Sequence, residues 1–134
     1  PGVRLDTNVD FGGVGGISSL DPSFASETGY FRTMIEYFTA LGYEPGSNLH
    51  GAPYDWRKAP DGHAVGLYPK LKALLEATVA RNGRAAHVIT HSLGGPTALG
   101  FLTQQSDARL AQHVESSAPL SGVFGGPTDR RGRR

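Results

Sequence analysis

Five residues, Thr90-His91-Ser92-Leu93-Gly94, have the types and spacing to present a nucleophilic hydroxyl. The pattern is a variant of G-x-S-x-G, in which a serine is forced onto a strained strand-to-helix turn so that its Oγ stands clear of the sheet. Ser92 is the candidate nucleophile. Thr90 stands where the first glycine usually does, a change that a small residue tolerates. Gly94 and Gly95 lack Cβ atoms and so let a new helix pass close to the strand. His91 is expected to turn its ring away from the hydroxyl and support the elbow. The backbone N–H of Leu93, at the helix N-terminus, is expected to give one donor to an oxyanion. The same residues also read as an ordinary strand-to-helix turn with a serine N-cap. Spacing alone leaves both readings open.

A serine hydroxyl at neutral pH needs a general base, usually a His held in one tautomer by an acid. In hydrolases with this elbow the chain order is Ser, then Asp or Glu, then His. Downstream of Ser92 the acids are Asp107, Glu115 and Asp129, and the only histidine is His113. Asp107 followed by His113 has the right order, but too little chain separates them to bring both from separate strand ends onto Ser92. His50, His63 and His87 precede the elbow and show no metal spacing such as H-E-x-x-H. No metal and no cofactor is expected.

A second cluster is Tyr54-Asp55-Trp56-Arg57, an acid and a base two apart beside two large aromatics that can bury their rings and keep a polar handle. It reads either as a substrate loop or as a partly exposed ion pair of little consequence. Chemistry alone does not choose between them.

These residues need a scaffold. Phe31, Met34, Ile35, Phe38 and Leu41 recur at three- and four-residue steps, predicting a helix over 29–40, capped by Ser26 or Thr28 and closed by Gly42. A short strand is expected at 48–51. A second helix is expected from Asp61 or Gly62 to Arg81, stopping at Asn82-Gly83, with Pro69 either kinking it or marking its true start near Tyr68. The run 86–90 reads as the strand that delivers Ser92. A helix over 93–104 should bury Leu99 and Leu102, and 113–118 reads as another strand. Helices alternating with short β runs argue α/β with a mostly parallel sheet. The glycine-rich segment 11–16 lacks G-x-G-x-x-G spacing and reads as a flexible loop rather than a phosphate cradle.

A chain of 134 residues suits one small domain. No apolar run approaches the roughly 20 residues that span a bilayer, and the absence of cysteine excludes disulfides and thiolate metal sites. Removing the four arginines among the last five positions takes the formal charge from +1 to −3, so a mildly acidic body carries a basic end. Four charges without interleaved aromatics are weak support for nucleic acid. No nucleic-acid partner is expected, and 127–134 is expected to be a disordered tail.

In the same order along the chain, Pro1-Gly2-Val3 with Phe11-Gly12-Gly13 and Leu20-Asp21, the helix before Leu41-Gly42-Tyr43, Gly51-Ala52-Pro53-Tyr54-Asp55-Trp56-Arg57, the elbow, and Ala118-Pro119 with Gly125-Gly126 resemble the lecithin:cholesterol acyltransferase-like family. The seven residues from Gly51 match the family's GAPYDWR signature and are far more specific than any elbow. The resemblance implies a partial α/β-hydrolase fold over 1–126. It also implies an O-acyltransferase or phospholipase that moves a fatty acyl group from a glycerophospholipid to a sterol, diacylglycerol or water through Ser92. Peripheral membrane contact and a secretory or membrane-associated location follow from the same resemblance. The family's triad Asp and His lie downstream of its GAPWGG segment, and its second oxyanion donor lies upstream of the PGV segment. The chain is therefore expected to be the nucleophile-bearing fragment of a longer enzyme, with a catalytically inactive module that binds lipid or a protein partner as the alternative. An esterase of small substrates would leave Gly51 to Arg57 unexplained.

Overall fold

The computed structural model describes residues 10–58 and 60–125. The elements, in order, are α1 (Gly15–Ser18), α2 (Arg32–Ala40), α3 (Leu67–Asn82), β1 (Ala86–His91), α4 (Gly94–Leu102), α5 (Asp107–His113) and β2 (Val114–Leu120), with 3₁₀ turns at Pro22–Phe24 and Pro60–His63. They group into two units, residues 1–55 with 80–82, and residues 56–79 with 83–134. Residues 126–134, with the expected tail, and the PGV segment lie outside the described residues.

In the first unit the glycine-rich segment is a folded loop rather than a loose one. Asp10, at φ +62°, turns its carboxylate into the loop, where Oδ2 accepts from Gly16 N–H at 2.9 Å. A Cβ on Gly13 would fall 1.9 Å from Asp10 Oδ1, so this position must be glycine for the carboxylate to fit. Helix α2 starts three residues later than the periodicity suggests, because Thr28 is spent elsewhere. Its hydroxyl donates to the carbonyl oxygens of Asp21 and Phe24 and accepts from Asp21 N–H. Phe31 takes the N-cap position without a side-chain bond, and Gly42 follows the helix at φ +93°. Phe31, Met34, Ile35 and Phe38 are half-buried along one stripe, and the Phe38 ring meets Tyr43 edge-on at 5.3 Å.

The second unit is a β1–α4–α5–β2 crossover. The two strands pair in parallel, which requires such a helical connection. Helix α3 precedes it and places Pro69 in its first turn, where a missing N–H has no intrahelical partner to lose. Gly83, at φ +66°, closes α3 by donating to Val79 O at 2.8 Å. The buried apolar residues are Tyr68, Ala98 and Phe101, with His63 and Thr97 beside them. Tyr68 Oη donates to Thr97 O at 3.1 Å, and its ring lies between those of His63 and Phe101, at 6.0 and 5.8 Å.

Three expectations are corrected. Leu99 is 48% exposed, because Thr97 and Phe101 both face Tyr68 and Leu99 stands about 200° around the helix from each. The expected strand at 48–51 is only an isolated bridge at Leu49 and a pair of hydrogen bonds at Gly51. Helix α5, capped by Ser106 Oγ, occupies residues read as connection before the second strand. The parallel α/β arrangement itself is as expected.

Candidate active site

Strand β1 ends at His91, and Ser92 turns the chain by adopting φ +51°, a left-handed conformation that is rare for a residue bearing a Cβ. Both of its backbone groups are engaged. Ser92 N–H donates to Leu120 O at 2.9 Å, the last carbonyl of β2, and Ser92 O accepts from Gly95 N–H at 3.0 Å. Leu93 then enters helical geometry at φ −60°, and its carbonyl accepts from both the N–H and the hydroxyl of Thr97. The turn is therefore pinned from the neighbouring strand and from the helix it starts. The Leu93 N–H forms no hydrogen bond among the described residues, which leaves it available to a ligand oxygen. Thr90 Oγ1 is buried without a partner among the described residues, a cost of carrying threonine where the elbow usually has glycine.

The glycines have different duties. A Cβ on Gly95 would stand 3.1 Å from Phe124 Cζ and 3.3 Å from Gly122 Cα, so the start of α4 and the segment after β2 approach more tightly there than most side chains allow. Gly94 begins α4. Phe124 was not singled out by sequence reasoning; the two glycines it rests against, Gly95 and Gly122, were the available signal. Ser121, directly after β2, has φ +48°, so both strand exits turn left-handed side by side. Ala118 and Pro119 lie within β2, and the loop beyond that strand is made by 121–125.

The histidines occupy distinct places. His113 ends α5 where β2 begins, and Val114 pairs with Ala86 at the far end of β1. That is five strand steps from His91, roughly 17 Å. Its Nδ1 lies 3.0 Å from Arg109 O. Asp107 and His113 therefore do not form a charge relay for Ser92. His87 also lies toward that far end, with Nδ1 2.8 Å from Ser116 Oγ. His91 shares a sheet face with Leu120, its register partner. His50, in the first unit, stands between the carbonyls of Gly12 and Ser47 at 2.8 and 3.0 Å.

The GAPYDWR segment begins on a rigid point. Gly51 N–H donates to Gly13 O and Gly12 N–H donates to Gly51 O, each at 2.9 Å. A Cβ on Gly51 would meet Gly13 O at 2.5 Å and Ile17 Cγ1 at 2.9 Å, which only glycine avoids. Tyr54 and Asp55 are half-buried and end the first unit. Trp56, 67% exposed, and Arg57, also exposed, open the second.

Residues 1–130 match the family model for lecithin:cholesterol acyltransferase. The chain is 33% identical over 116 residues to the lysosomal phospholipase A and acyltransferase of Homo sapiens, covering 87% of this chain and 28% of that protein. It is 32% identical over 126 residues to the phosphatidylcholine-sterol acyltransferase of Homo sapiens, covering 94% and 28%. For the enzyme of that name from Gallus gallus the identity is 31%, covering 94% of this chain and 30% of that protein. The chain thus spans less than a third of the length of these relatives. With a match over nearly its whole length, and with a parallel strand pair that delivers a left-handed serine to a helix, the chain belongs to the lecithin:cholesterol acyltransferase family.

Proposed function

We propose that this chain is the nucleophile-bearing part of an enzyme that moves a fatty acyl group from a glycerophospholipid to a sterol, a diacylglycerol or water. The observation that carries the reading is Ser92 at φ +51°, anchored to Leu120 O, with the Leu93 N–H beside it. Ser92 Oγ attacks the ester carbonyl carbon while a base takes its proton. The carbonyl oxygen becomes an oxyanion that accepts from Leu93 N–H. The bond to the glycerol oxygen breaks, the lysophospholipid leaves with the proton, and the acyl group remains on Ser92. An acceptor hydroxyl or water then reverses these steps and frees the serine. Tyr54, Asp55, Trp56 and Arg57 shape the substrate loop, and His91, Gly94 and Gly95 support the elbow. Residues 1–126 form part of an α/β-hydrolase domain that meets lipid at a membrane surface. The acid and base come from the share of such enzymes that this chain does not span.

The test is to trap the intermediate. The enzyme that contains this chain, given radiolabelled phosphatidylcholine and quenched with acid, should carry label on the tryptic peptide 85–109, which contains Ser92. Ser92→Ala should lose the label and at least about a thousandfold in turnover. Label on another residue, or turnover that survives Ser92→Ala, overturns the proposal.

A second reading is a non-catalytic module that binds lipid or a protein partner, and it is favoured by one observation: His113 lies at the opposite end of the strands from Ser92. Under it the isolated chain binds phosphatidylcholine vesicles, and Ser92→Ala changes nothing.

A further inference from the structure

The ring of Phe124 is set against the backbone of two glycines. A Cβ on Gly122 would meet its Cε2 at 2.5 Å and one on Gly95 its Cζ at 3.1 Å, so two glycines, from the segment after β2 and the start of α4, make the seat. Even so, Phe124 remains 55% exposed. A phenyl ring held by two backbones with its outer surface open is an expensive way to cover nothing. Its place is informative. Gly95 N–H bonds to Ser92 O, so the ring lies within about one helical turn of the serine, at the end of the strands where the acyl carbonyl must sit. An acyl group joined to Ser92 Oγ has to lead its hydrocarbon away over some surface near this turn.

We propose that Phe124 is a specificity-determining residue, the apolar platform along which the first methylenes of the acyl chain lie. The proposal rests on Ser92 as the acyl-carrying residue. The ligand class is an unbranched fatty acyl chain long enough to cross the ring. A side chain at Gly122 would push the ring from its seat, and one at Gly95 would crowd it.

The experiment uses the ¹⁵N-labelled enzyme that contains this chain with sodium decanoate and sodium butyrate, both below micelle formation, followed by amide spectra. Decanoate should shift the Gly95 and Gly122 amides saturably, and butyrate at equal concentration should not. Phe124→Ala should weaken decanoate binding by about tenfold. Phe124→Leu, which keeps an apolar side chain, should stay within about threefold. Should Phe124→Ala lose its dispersed spectrum, the wild-type shift map and the Leu variant decide. Decanoate shifts that avoid Gly95 and Gly122, or affinity unchanged in a folded Phe124→Ala, overturn the platform. The two proposals separate cleanly. Decanoate bound at Phe124 with no acyl-serine on Ser92 leaves the platform as a fatty-acyl site and removes the nucleophile, whereas acyl-serine without a decanoate site does the reverse.

Discussion

At the scale of the residue, Ser92 and Ser121 pose one question in two places. Each holds a left-handed backbone at a strand exit, at φ +51° and +48°, and each costs about 1 kcal/mol that glycine would not. Ser121→Gly should therefore raise stability by up to about 1 kcal/mol, or a few degrees in Tm by scanning calorimetry, and leave acyl-serine formation intact. Ser92→Gly should give a similar gain in Tm and no acyl-serine at all. Equal or lower Tm in both variants would show that the turns are relaxed. The contrast separates backbone geometry from the hydroxyl, which Ser92→Ala alone does not.

At the scale of the element, α4 and α3 are tied by a buried polar contact, Tyr68 Oη to Thr97 O, beside an aromatic cluster. Tyr68→Phe should cost about 1 kcal/mol in denaturant unfolding, because the carbonyl loses a donor in a place that water reaches poorly. Elements whose ends are written in local chemistry were legible in the sequence: Gly83 and Gly42 at helix ends, Pro69 in a first turn, and the elbow at Ser92. Elements set by distant partners were not. The burial of Thr97 rather than Leu99 depends on Tyr68, almost thirty residues away. The double hydrogen bond between Gly51 and the 12–13 peptide units joins segments no periodicity connects. Helix α5 has a legible cap in Ser106, but its seven residues are too few for an apolar stripe to declare itself. At the candidate site, the turn at Ser92 was readable because a left-handed strand exit leaves small residues around it. Phe124 was not, because its role follows from where two glycines meet in space.

At the scale of the whole molecule, the described residues bury little. Tyr68, Ala98 and Phe101 are the buried apolar side chains, while Ile89, Leu120 and Phe124 are open along one end and one face of a parallel pair. Parallel strands are ordinarily covered on both faces. The isolated chain should consequently self-associate with rising concentration in sedimentation velocity, and Ile89→Lys should reduce that association by placing a charge on the open face. A monomer at every concentration would mean that this face is covered. Among the described residues no helix is long and apolar enough to cross a membrane.

The strand pairing holds a further consequence, one of phase. Ala86 stands opposite Val114, yet His87 stands opposite Ser116; Glu115 is counted by one strand and skipped by the other. That single uncounted residue is what brings Leu120 level with His91, so that both chains turn on the same beat. Were it paired instead of skipped, the carbonyl offered to Ser92 would be that of Pro119, and the turn at Ser121 would arrive one residue late. Glu115→Ala keeps the count and should be silent. Deleting Glu115 would set Val114 and Ser116 consecutively opposite Ala86 and His87 and keep Leu120 level with His91, so it too should spare the turn at Ser92. The count that matters runs from Ser116 to Ser121, matched step for step by His87 to Ser92, and the exposed residue at 115 lies outside it: lineages should exchange that residue freely and hold the length of the run that follows.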